Sequence, residues 1–208
     1  MPYSAERHLL FIHIPKTGGS SVERFLGIMN KQSLYSGGKN NILPTTKLRN
    51  LPLQHLTYKT LYTYRNVLNI DFNNILKIFT IVRCPYTRIL SDLFFYKLIR
   101  RGDTPSMVYN KLRHFIRGSP QTYNNHNIPQ YQFLIDTNGE IVKKITVLKF
   151  ENLKQNLINY GFENFNVHLN KNKTTNNKNY IFYLNKNSIR LINTYYKLDF
   201  LLFGYTMA

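Results

Sequence analysis

Residues 8–14, HLLFIHI, and 75–83, ILKIFTIVR, are apolar runs of strand length, and each ends where a helix-forming segment begins. No other feature limits the fold as tightly. A short apolar run without polar alternation predicts a strand buried on both faces. A buried strand that feeds a helix is the repeating half of an α/β sheet. After the first run, Pro15 to Gly19 make a turn, and Val22, Phe25, Leu26 and Met29 then recur at spacings of three and four. That is the stripe of an amphipathic helix. After the second run, Pro85 suits a helix start, Ile89, Leu90, Leu93, Phe94 and Leu98 form an apolar face, and Gly102 offers an end.

The alternation continues along the chain. A helix starts after Thr57, and another is capped by Thr104 with Pro105 at its first position. The pair Asn138-Gly139 signals a turn before a third strand over 145–150, and a helix follows that Gly161 closes. A last helix runs through 187–205 with Ser188 as its cap. Residues 35–46 and the polar, low-complexity 169–180 read as loops. The expectation is an α/β fold with a mostly parallel central sheet flanked by helices, in a single domain over 1–208. Ligands of such sheets sit at the carboxyl ends of the strands, where both the Lys16 turn and Arg83 fall.

Composition narrows the setting. The lone cysteine, Cys84, excludes an internal disulfide and a multi-cysteine metal site, and reads as a small buried filler. No apolar run approaches the ~20 residues of a membrane span. The first 16 residues lack a signal-peptide layout, so a cytoplasmic setting is expected. Lys and Arg number 28 against 10 Asp and Glu, a formal charge of +18. Such a field suits anionic partners: nucleic acid, acidic lipid, phosphorylated cofactors or acidic sugars. A lysine- and asparagine-rich chain with solvated lysines has the same charge.

The turn after the first strand has its own chemistry. Thr17, Gly18, Gly19, Ser20 and Ser21 at a helix start can wrap an anion with backbone N–H groups and hydroxyls, and Lys16 adds a positive charge. The order is not that of a Walker A loop, whose lysine follows the glycines. The second strand ends in Arg83 rather than in an acidic metal ligand. A metal-dependent P-loop kinase is therefore disfavoured, and an anionic ligand met by cations and amides, with no metal, fits better.

The stretches FIHIPKTGGSS, 11–21, and IFTIVRCPYTRILSDLFFY, 78–96, resemble the 5′-phosphosulfate loop and the 3′-phosphate segment of sulfotransferases, in the form used by the branch that modifies carbohydrates (heparan- and chondroitin-type). NNHNIPQYQFLI resembles that family's H-x-x-P-Q stretch, and VLKFENLKQNL with LNKNKTT and YYKLDFLLFGY its closing pattern. The resemblance implies a P-loop-like fold and a sulfotransferase that takes its sulfuryl group from 3′-phosphoadenosine-5′-phosphosulfate (PAPS). It implies that Thr17, Gly18, Gly19, Ser20 and Ser21 cradle the 5′-phosphosulfate and that Lys16 meets the bridging oxygen. Arg83 and Ser91 would hold the 3′-phosphate, Lys171, Lys173 and Thr174 would close over the nucleotide, and His126 and Gln130 would meet the acceptor.

Sulfuryl transfer to a hydroxyl calls for a general base. His55 lies between the two nucleotide motifs, where carbohydrate sulfotransferases carry a histidine, and is the first candidate. His126 is its rival and Glu23 a third choice. His13 reads as a satisfied core or edge histidine, and Arg88 as a solvated helix charge. A basic nucleic-acid-binding protein with a degenerate nucleotide loop is the alternative reading, and the Arg83/Ser91 pair argues against it.

Overall fold

The computed structural model describes residues 3–28, 53–166 and 182–208. They form two compact units, Met1–Val82 with Gln132–His168, and Arg83–Tyr131 with Leu169–Ala208.

The first unit carries the sheet. Its strands are β1 (Tyr3–Ser4), β2 (Leu9–Ile12), β3 (Lys77–Val82) and β4 (Ile145–Lys149), in that spatial order. β1 is antiparallel to β2, and β2, β3 and β4 are parallel, with Ile12 opposite Thr80 and Val82 opposite Lys149. Every residue of β2, and all of β3 beyond Lys77, is buried, as their mostly apolar character predicts, and the one polar side chain among them, Thr80, donates its hydroxyl to the Ile12 carbonyl at 2.8 Å. Leu9 and Phe11 of β2 and Phe79 and Ile81 of β3 face one side by strand alternation. They pack against Val22 of helix α1 (Gly19–Phe25) and against Leu153 and Leu157 of a C-terminal helix of this unit, Leu153–Asn159. Phe11 and Phe79 are register neighbours with ring centroids 4.8 Å apart. Each is fully buried, worth about 1.5–3 kcal/mol of hydrophobic transfer. Helix α2 (Tyr58–Thr63) starts where expected, with the Thr57 hydroxyl accepting from the Thr60 amide at 3.2 Å.

The second unit is helical: α3 (Pro85–Phe95), α4 (Pro105–Arg117), α6 (Lys186–Tyr195) and α7 (Lys197–Phe203), the Leu153–Asn159 helix being α5. Leu90 and Leu93 of α3, Val108, Leu112 and Phe115 of α4, Ile192 of α6 and Phe200 of α7 share one core. Thr104 caps α4 as predicted, accepting from the Met107 amide at 3.4 Å.

Three expectations are corrected. Helix α3 ends at Phe95 instead of running to Gly102, because Lys97 turns to φ 56° and the Leu98 amide closes back on the Leu93 carbonyl at 2.9 Å. The C-terminal helix is two helices broken at Tyr196, and its cap is Asn185, whose side-chain oxygen accepts from the Ser188 amide at 2.9 Å. Arg88 is not solvated: it is 1% exposed and donates to the carbonyls of Ile128 at 3.1 Å and His126 at 2.8 Å. Among the described residues, no helix is long and apolar enough to cross a membrane.

Candidate functional site

In the first unit, β2 ends at Ile12 and the chain reaches α1 through a strained turn. Lys16 sits at φ 63°, a left-handed conformation that costs a non-glycine residue on the order of 1–3 kcal/mol. Strain of this kind persists where surroundings enforce it, and it clusters at ligand clamps. Here the buried Thr17 hydroxyl donates to the Ile14 carbonyl at 2.7 Å and cinches the turn. The Ser21 amide donates to the Gly18 carbonyl at 3.1 Å, and Ser20 and Ser21 stand half-buried in the first turn of α1.

The two glycines are needed for different reasons. Gly18 has φ 87°, which disfavours any side chain, and a Cβ there would meet Leu153 at 2.9 Å. Gly19 is limited by space alone: a Cβ would lie 2.1 Å from Nε2 of His13. The His13 ring cannot swing away easily, because its Nδ1 is 2.7 Å from Oε1 of Glu23, and both residues are buried. Gly19→Ala should therefore destabilise the fold by roughly 1–3 kcal/mol, the usual cost of overpacking. Combined with His13→Ala, it should cost less than the sum of the two single changes. Thermal denaturation of the four members of that cycle checks this, and strict additivity would place the strain elsewhere.

His13 belongs to a wider network. The second oxygen of Glu23 accepts from the Gln54 side chain at 2.5 Å. Gln54 neighbours His55 in a 3₁₀ turn, Leu53–His55, and Nδ1 of His55 lies 3.1 Å from the His13 carbonyl. The two imidazoles meet edge to face with centroids 4.7 Å apart. A carbonyl only accepts, so Nδ1 of His55 carries the hydrogen and the lone pair of the neutral ring is on Nε2. Glu23, with both oxygens engaged and no exposure, is an orienting group for His13 and Gln54. His13 is the satisfied core histidine that its place in the sequence suggested.

In the second unit, Arg83 follows directly on the last residue of β3. It is 7% exposed, and its Nε donates to the Thr87 hydroxyl at 3.0 Å. Thr87 and Ser91 are four residues apart on α3, hence one turn apart on one face, so the Arg83 stem is anchored on the face that carries Ser91. Gln130 is fully buried, with its side-chain oxygen accepting from the Arg83 amide and its nitrogen donating to the Arg83 carbonyl, both at 2.9 Å. His126 is 5% exposed, with Nδ1 2.7 Å from Asp92 and its ring stacked on Phe95. Lys171, Lys173 and Thr174 lie outside the described residues. Among the described residues, no cluster of three or more His, Cys, Asp or Glu side chains could hold a metal ion.

Sequence reasoning missed Thr87 and Gln54. The spacing of four from Arg83 could have pointed to Thr87, whereas nothing local marks Gln54 as the partner of a residue on α1.

The family model described as the sulfotransferase family matches residues 3–206, which takes in both units. No curated protein and no solved structure gives a significant match.

Proposed function

The chain belongs to the sulfotransferase family, and from that premise we propose that it moves a sulfuryl group from PAPS to a hydroxyl of a carbohydrate. The observation that carries the reading is the bonding of His55. Its Nδ1–H is committed to the His13 carbonyl, which leaves Nε2 as the basic atom of a nearly buried imidazole. A general base for a hydroxyl needs that tautomer.

In this reading the acceptor oxygen forms a bond to sulfur while the bond from sulfur to the bridging phosphate oxygen breaks. The acceptor proton passes to Nε2 of His55. The charge left on the 5′-phosphate of 3′,5′-ADP is met by Lys16 and by the Thr17–Ser21 turn, with Gly18 and Gly19 allowing its close approach. Arg83 and Ser91 take the 3′-phosphate, the group that distinguishes PAPS from ATP. Lys173 and Thr174 are proposed to contact the nucleotide. His126 is proposed on the acceptor side, acting through the loop it holds in place, whereas Gln130, expected to meet the acceptor, is wholly buried with its side chain on the Arg83 backbone. The two units together are read as one sulfotransferase-like domain, since one family model runs through both.

The test is a ligand comparison. 3′,5′-ADP without Mg²⁺ should raise the melting temperature, since a ligand at a hundred times its Kd adds about 2.7 kcal/mol of stability. ATP with Mg²⁺ and duplex DNA should do much less. Equal shifts from 3′,5′-ADP and ATP would replace this reading with a generic nucleotide site, and a shift from DNA alone would make the chain a nucleic-acid binder.

A further inference from the structure

Arg83 stands where the strand ladder stops. Its backbone is neither strand nor helix, and Pro85 two residues on has no amide to offer. The planar side-chain amide of Gln130 takes both backbone groups of Arg83, as the peptide of a neighbouring strand would. Gln130 is itself held from the C-terminal helix α7. Oδ2 of Asp199 accepts from the Gln130 backbone amide at 2.8 Å and lies 3.4 Å from the Gln130 side-chain nitrogen. Oδ1 accepts from the Tyr131 amide at 2.9 Å. Asp199 and Gln130 are both wholly buried. Burial pushes the Asp199 carboxyl up from the ordinary aspartate value, and the amides of Gln130 and Tyr131 pull it back. Placing a carboxylate there is costly unless something is gained from it.

We propose that Asp199 and Gln130 are positioning residues that set the direction of the Arg83 side chain, and with it the preference for a nucleotide bearing a 3′-phosphate. With the peptide groups on both sides of Arg83 held by one amide, its Cα–Cβ direction is set, and Thr87 then fixes the guanidinium stem at Nε. An arginine otherwise brings rotamer entropy that a phosphate would have to freeze. The inference rests on the reading of Arg83 as the 3′-phosphate ligand.

Titration calorimetry with the full chain, using 3′,5′-ADP and 5′-AMP without Mg²⁺, tests it. The two ligands differ only in the 3′-phosphate. The unaltered chain should prefer 3′,5′-ADP. Gln130→Met, which keeps volume, and Asp199→Asn should each weaken 3′,5′-ADP by about 10- to 100-fold, by analogy with partners that orient metal ligands, and leave 5′-AMP within about two-fold. If Asp199→Asn does not fold, Gln130→Met decides alone, because it leaves the backbone amide bonds to Asp199 in place. Equal weakening of both ligands would make the pair merely structural and overturn the proposal, as would an unchanged preference. An unaltered chain with no preference for 3′,5′-ADP would instead overturn the reading of Arg83, and this inference with it.

Discussion

Replacing His55 with alanine is expected to lower kcat by roughly 10²–10⁴, the usual worth of a positioned general base. Affinity for 3′,5′-ADP should hardly change, because the imidazole serves the acceptor hydroxyl. Turnover of the unaltered chain should fall as pH drops and Nε2 takes up a proton, and that acid limb should be absent in His55→Ala. The neighbours of His55 sharpen the test. Glu23→Leu takes away the carboxylate shared by Nδ1 of His13 and the Gln54 nitrogen. That variant should turn over more slowly than the unaltered chain, because the turn that carries His55 loses an anchor, and an unchanged rate would make the network purely structural. His126→Ala is the rival measurement. Loss of the acid limb there, with His55→Ala at full rate, would move the base to the second unit.

Lys16→Ala is expected to lower kcat by about 10²–10³, as removal of a group that meets developing charge does elsewhere. A loop residue at φ 63° complicates alanine, since the substitution keeps the backbone strain and removes the side chain. Lys16→Gly separates the two, because glycine takes that conformation freely. It should fold at least as stably as Lys16→Ala and be as slow. If either variant turned over a known acceptor at the unaltered rate, the lysine would be a loop residue with no part in transfer. Loss of 3′,5′-ADP binding without loss of kcat would give it a binding role only.

The buried strands could be read directly from the chain. β2 and β3 lie inside the sheet with both faces covered, so their sequences are apolar on both faces save for Lys77 and Thr80 of β3, and such a run has few other solutions. The caps Thr57 and Thr104 were equally legible, because a cap bonds an amide three residues away. So was the turn between β2 and α1, which Pro15, Gly18 and Gly19 announce by residue type and order. Helix ends were less so. Lys97 closes α3 in a left-handed conformation that lysine rarely adopts, and no glycine announces it.

The site depended on partners far along the chain. His55 is given its tautomer by a carbonyl 42 residues before it, and Arg83 is held by an amide 47 residues after it. Arg88, one more cation on a helix in the sequence, is buried because carbonyls 38 and 40 residues away converge on its guanidinium. Asp199 stands in the first turn of α7, where an acidic residue is already favourable, and its second use appears only when two amides from another segment meet its oxygens. Periodicity and capping involve neighbours three or four residues apart, so residue order contains them. Desolvation and hydrogen-bond partnership depend on which distant segments the core brings together, and residue order alone does not name those partners.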